Sequence, residues 1–226
     1  MKTLVISISI LLSIASCRNS TPNNNKIENV VSYAKFGSDT LFNFENEVEG
    51  KVPKGFSSTA TGKAKSIKWS IVNDNGNKVV AQQAINKGSC YNLLILDKDG
   101  YKDFTATVKI KAILGEEDQG GGLVWRYIDK DNYYIARYNP LENNFRFYSV
   151  VDGNRKKLLS VDSDIKQGEW FTMTIETKGN RITCSLNGKA LIESTDDTFQ
   201  SAGLIGFWTK ADAVTYFDDL KINKDK

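Results

Sequence analysis

The side chains available for chemistry here are carboxylates, lysines, arginines and tyrosines, because the 226-residue chain contains no histidine. That excludes Ser-His-Asp and Cys-His nucleophile systems, histidine general bases and His-ligated zinc. Two carboxylates, Glu142 and Asp212, fall in turn-like segments beside alternating strands, and are the candidates for acid/base work. The alternation of Gly121–Tyr127 sets Leu123 and Trp125 on one face and Val124 and Arg126 on the other. Phe145 and Phe147 likewise turn Arg146 and Tyr148 outward, and Ile205 and Phe207 turn Trp208 and Lys210 outward. Arg137 and Asn139 travel with Ile135 on a strand whose inward face the pattern leaves ambiguous. If these strands are neighbours, one open sheet face carries Arg126, Arg137, Asn139, Arg146, Tyr148, Trp208 and Lys210. A flat aromatic among guanidiniums and carboxylates suits a sugar, whose ring stacks on Trp while planar donors grip its hydroxyls. The competing reading is a wet face laced with ordinary ion pairs. The acid runs Glu116-Glu117-Asp118 and Asp196-Asp197 make no catalytic pair, because adjacent strand residues point to opposite faces.

These residues need a scaffold, and the chain from Thr40 onward supplies one kind of element. Short alternating segments such as T-L-F-N-F-E, F-T-A-T-V-K-I-K-A-I, W-F-T-M-T-I-E-T and V-T-Y-F-D-D-L-K-I recur, separated by D-K-D-G, V-D-G-N and L-N-G-K turns. No clean helical period intervenes. About fourteen strands without a linker predict one all-β domain over 40–226, two sheets packed face to face as a jelly-roll sandwich. Asp97-Lys98-Asp99-Gly100 and Asp129-Lys130-Asp131-Asn132 lack the distal Glu of a calcium loop and read as Asx turns.

Ahead of the domain, Met1-Lys2 and an apolar run to Ile14 have the build of a signal peptide, too short to span a bilayer comfortably. The run ends in Ile14-Ala15-Ser16-Cys17, which resembles a bacterial lipobox. That resemblance implies cleavage after residue 16, lipidation of Cys17 and a protein exported and anchored to a membrane by acyl chains alone. Residues 17–39, rich in Asn, then read as a tether. Cys90 and Cys184 remain, and an exported compartment permits either a disulfide or two buried thiols. The net charge of +3 comes without a basic block or aromatic-basic stripe, so nucleic acid is not an expected partner.

The opening L-F-N-F-E, the hairpin Gly168–Lys189 and the closing F-D-D-L-K-I resemble the concanavalin A-like lectin/glucanase superfamily. Asp118–Tyr148 and Gly203–Leu220 look like an exported bacterial subgroup near the 3-keto-disaccharide hydrolase, or glycoside-hydrolase-16-like, domain family. The resemblance implies a concanavalin A-like sandwich and a carbohydrate partner. By likeness to other sandwich modules it also implies a structural calcium held by Glu45 with Asp218 or Asp219. One departure matters: the E-x-D-x-x-E strand that sets two carboxylates about 5–5.5 Å apart in family 16 retaining enzymes is absent. The expectation is therefore a carbohydrate-binding domain serving glycan capture or degradation. The alternatives are an enzyme acting on 3-keto-disaccharides and a non-catalytic protein-interaction module.

Overall fold

The structure is a computed structural model and describes residues 34–36 and 39–224, with side chains from residue 40. The signal-peptide reading and Cys17 lie outside the described residues. Sixteen strands are described, and every pairing between them is antiparallel. The first sheet runs β1 (Ala34–Phe36), β2 (Asp39–Phe42), β16 (Val214–Lys224), β7 (Phe104–Leu114), β12 (Trp170–Lys178), β13 (Arg181–Leu186), β14 (Lys189–Thr195). Strand β5 (Asn77–Gln82) also pairs with β16 and carries β4 (Trp69–Asp74) on its far side. The second sheet runs β11 (Asn154–Asp162), β10 (Asn144–Val151), β9 (Asn132–Asn139), β8 (Gly121–Asp129), β15 (Leu204–Lys210), β6 (Tyr91–Leu96), β3 (Phe56–Thr61). This is the all-β, two-sheet sandwich that the alternation predicts. Strand β1 falls inside the 17–39 stretch that the composition reads as a tether, and β3 is a further departure, because F-S-S-T-A-T offers few apolar residues and reads as a loop. Strand β3 is an edge strand, where one wet face and small polar side chains suffice.

Between the sheets lies an aromatic-rich core. Phe104, Val108 and Ile110 of β7 and Phe171, Met173 and Ile175 of β12 face Leu123, Trp125, Phe145, Phe147 and Phe207 of the second sheet. The Phe207 and Phe217 rings stack at 4.6 Å and tie β15 to β16 across the layer. Tyr134, Ala136 and Tyr138 join this core, which settles the inward face of β9 and turns Arg137 and Asn139 the other way. Cys184 is part of the same core and Cys90 is buried just ahead of β6; both are free thiols, so the disulfide alternative is not realised.

The sheets differ on their outer faces. On the first sheet β7 and β12 alternate buried and wetter residues along their length, as a half-exposed sheet should. On the second, β6 is buried throughout and β9 nearly so. A second cluster explains this: Tyr91, Leu93, Ile95, Val124, Tyr133, Ile135, Tyr148, Val150 and Trp208 pack together on its outer face. The sheet curls until its β3 edge reaches the β8–β9 turn. Thr61 at the end of β3 donates its hydroxyl to the Lys130 carbonyl in the β8–β9 turn, and its oxygen lies 2.6 Å from the Tyr133 hydroxyl. Gly122 sits where a Cβ would overlap the Ala136 carbonyl of β9, so only glycine permits this close approach.

Candidate carbohydrate site at one corner of the curled sheet

Strands β9 and β10 end together at the Pro140–Asn143 turn, and their last outward residues converge there. The buried Arg137 guanidinium donates from Nη1 to Asn144 Oδ1 at 2.8 Å and from Nη2 to Glu142 Oε2 at 2.8 Å. Its Nη2 also lies 3.3 Å from the Tyr148 hydroxyl. Arg146 donates to the same Glu142 oxygen at 2.7 Å and, through Nε, to Ser160 on β11 at 3.1 Å. Burial alone would raise the pKa of Glu142. The hydrogen bond and charge of Arg137 outweigh it, with help from Asn144 and Arg146, and bring the value down to about 2. Glu142 is thus held as an anion at neutral pH.

Beside this triad, Asp118 is buried and accepts from Asn139 Nδ2 at 3.1 Å, Lys210 Nζ at 3.2 Å and the Gly120 N–H at 2.6 Å. Asp118 owes its place to Asp212. The Asp212 carboxylate accepts from the backbone N–H groups of Glu116, Glu117 and Asp118, at 2.8, 3.1 and 3.0 Å. Partial burial works against that anion, but these N–H bonds prevail and lower its pKa. Asp212 thereby anchors the 116–118 backbone.

The corner therefore unites Arg137, Asn139, Glu142, Arg146, Tyr148 and Lys210, with Asp118 and Asn144 completing the set. An open depression of about 480 Å³ adjoins it, lined by Glu142, Asn143, Asp162, Ser163 and Asp164. Two expected members are elsewhere. Strict alternation puts Arg126 on the outer face, but β8 is bulged after Trp125 and Arg126 has φ 46°. Its guanidinium turns away and donates to the carbonyls of Phe199, Gly179 and Lys102, tying three loops together. Trp208 does lie on the outer face, yet it is fully buried there, with the Tyr91 ring 5.5 Å away and Arg155 over its face. It offers no ring face to solvent.

The residues implied for calcium have other partners in this structure. Asp219 pairs with Lys109 at 2.8 Å, Asp218 accepts from Asn77 at 2.9 Å, and Glu45 accepts from the Lys78 N–H at 3.3 Å. Among the described residues no three carboxylate or thiol groups gather in a metal-holding cluster.

The strand D-Q-G-G-G hinted at Asp118, since an acid before a glycine run can bring its carboxylate close to backbone N–H groups. Asn144 follows from the alternation of β10. Arg155 carried no such signal, being one cation in an N-R-K-K edge strand.

Comparison with known proteins supports both the fold and a family. The carbohydrate-binding module CBM66 from Bacillus subtilis superposes with a TM-score of 0.62 at 18% identity, over 75% of this chain and 96% of that one. A Bacillus licheniformis beta-glucanase does so with a TM-score of 0.60 at 10% identity, over 85% and 100%. Domain 4 of AbnA, a GH43 arabinanase from Geobacillus stearothermophilus solved with arabinotriose, gives 0.51 at 14% identity, over 81% and 90%. These likenesses establish a concanavalin A-like sandwich. A search among curated proteins finds no match. The sequence model of one family spans residues 37–223, which includes every strand from β2 to β15 and nearly all of β16, and on that match the chain belongs to the 3-keto-alpha-glucoside-1,2-lyase-like domain family.

Proposed function

We propose that this domain binds a carbohydrate at the Arg137–Glu142–Arg146 corner, in an exported lipoprotein anchored through Cys17 and serving glycan capture or degradation. The observation that carries the reading is the convergence of donors and acceptors at one corner, where Glu142, Arg146 and Lys210 keep contact with solvent above a buried floor of Arg137, Asn139, Asn144 and Asp118. Arg137 and Asn144 are held by each other and by Glu142, while Arg146, Lys210, Asp118 and Asn139 complete the ring. Sugar hydroxyls donate and accept at once, and a mixed set of fixed guanidinium, amide and carboxylate groups is their complement. CBM66 and the arabinotriose-bound AbnA domain are relatives in fold whose names or contents concern carbohydrate.

A second reading is favoured by family membership: an enzyme acting on 3-keto-α-glucosides. In that case the Arg137 guanidinium and Lys210 ammonium would polarise a keto oxygen, and Glu142, already ionised, would act only as a base. Incubation of residues 19–226 with α-glucosides and 3-keto-α-glucosides, with and without EDTA, separates the two. Calorimetric binding without product, abolished by Arg146→Ala, supports the binding domain. Product formation that Glu142→Gln stops supports the enzyme. A broad glycan panel giving neither heat nor product would sink both.

A further inference from the structure

The outer-face cluster contains an arrangement that the polar corner does not use. Arg155, on β11, reaches back over the sheet, and its guanidinium carbon lies 4.5 Å from the Tyr148 ring centre, 4.9 Å from Tyr91 and 5.6 Å from Trp208. Tyr148 is on β10 and Tyr91 on β6, with β9, β8 and β15 between them in the sheet. One guanidinium can touch both only because the sheet curls around it. Arg155 makes no ion pair with any described residue, and its Nη1 is buried with no acceptor. Trp208 Nε1 is also buried, and although the Tyr133 hydroxyl lies near enough to feel it, it makes no regular hydrogen bond. Three aromatic faces closing on a planar cation whose buried Nη1 has no acceptor is an unusual way to finish a core, since buried donors normally find partners.

We propose that Arg155 is a built-in occupant of a sugar-ring subsite, displaced when glycan binds. This inference rests on the carbohydrate reading above and specifies where a ring would stack. A guanidinium and the C–H face of a pyranose share the features that matter on an aromatic wall: both are flat and lie face-on against the ring. Trp208 Nε1, which makes no regular hydrogen bond, is better served by a ligand that carries oxygen than by a cation. A cationic ligand brings no acceptor, whereas a sugar brings hydroxyl oxygens. Displacement is feasible because β11 ends its sheet, bonded on one side by β10, and much of its length is wet. Once in solvent, the guanidinium hydrates. The subsite is continuous with the polar corner through Tyr148, whose hydroxyl meets Arg137 while its ring face meets Arg155.

The test compares wild type with Arg155→Ala by calorimetry against methyl 3-keto-α-glucoside and methyl α-glucoside, alongside acrylamide quenching of tryptophan fluorescence. With the occupant removed, affinity for the bound probe rises at least tenfold, because binding no longer waits for a minor open state. Acrylamide quenching also rises, and saturating sugar brings it back down. Adding Trp208→Phe to Arg155→Ala cancels the gain. Should the alanine variant melt well below wild type, Arg155→Gln, which keeps the stem and a planar amide, gives the same direction of change. A folded Arg155 variant that binds the probe no tighter than wild type overturns the occupant role and leaves the corner site standing. Absence of binding by wild type and both variants overturns the two together.

Discussion

Glu142 sits between the Arg137 and Arg146 guanidiniums, which donate to the same carboxylate oxygen. Its neighbours Arg137 and Arg146 stabilise its charged form, so its proton is lost at a pH well below the ordinary value of 4.5. A carboxyl whose folded pKa is depressed contributes stability above the unfolded pKa and loses it as pH falls through the folded one. The window for Glu142 therefore lies between about pH 4.5 and about pH 2. Wild type should exceed Glu142→Gln in denaturant stability at neutral pH by about 1 kcal/mol, a modest figure because the carboxylate is partly solvated. The gap should close steadily across that window. Urea titrations of both proteins at several pH values check this, and a gap that stays constant down to pH 3 would show that the ion cluster does not tune Glu142.

At the scale of single elements, alternation succeeded wherever strands are regular. It put Leu123, Trp125, Phe145, Phe147, Ile205 and Phe207 between the sheets and Val124, Tyr148 and Trp208 on the opposite face, and they are there. It failed at Arg126 because a bulge re-aims one side chain, and no residue type in W-R-Y-I-D announces the extra residue. The expected consequence is a separation of effects. Arg126→Met should lower stability by about 2 kcal/mol, since buried carbonyls of Phe199 and Gly179 lose their donor. Sugar affinity should stay at the wild-type level. Denaturation and calorimetry on the same preparation decide it, and lost affinity at full stability would return Arg126 to the binding site.

Across the whole molecule, what the sequence could not disclose is curvature. Knowing which face Trp208 takes does not reveal that β11 wraps over that face, because the wrap is a sum of small twists over seven strands and a few glycine contacts such as Gly122. The corner site was partly legible, since turn and strand ends near Asn139–Asn144 bring their polar residues together by local pairing alone. Its partner Asp118 comes from a distant segment and depended on Asp212 for its position. The anchor proposed at Cys17 is independent of all this. Cys17→Ala should move the protein from the membrane fraction to the soluble one on detergent-free fractionation, with the domain's melting unchanged; a variant that still sediments with membranes would refute the lipid anchor.

The location of β16 has a further meaning in time. Strand β16, the last of the described strands, is not at an edge: it pairs with β2, β5 and β7 and so fills the middle of its sheet. As a ribosome lengthens this polypeptide, β2 and β7 are made long before the strand that separates them, and neither completes its native pairing until β16 emerges. Until then this sheet lacks the strand that joins its two parts. For a polypeptide proposed to be threaded across a membrane behind a leader, that delay keeps it in a state a narrow channel can accept.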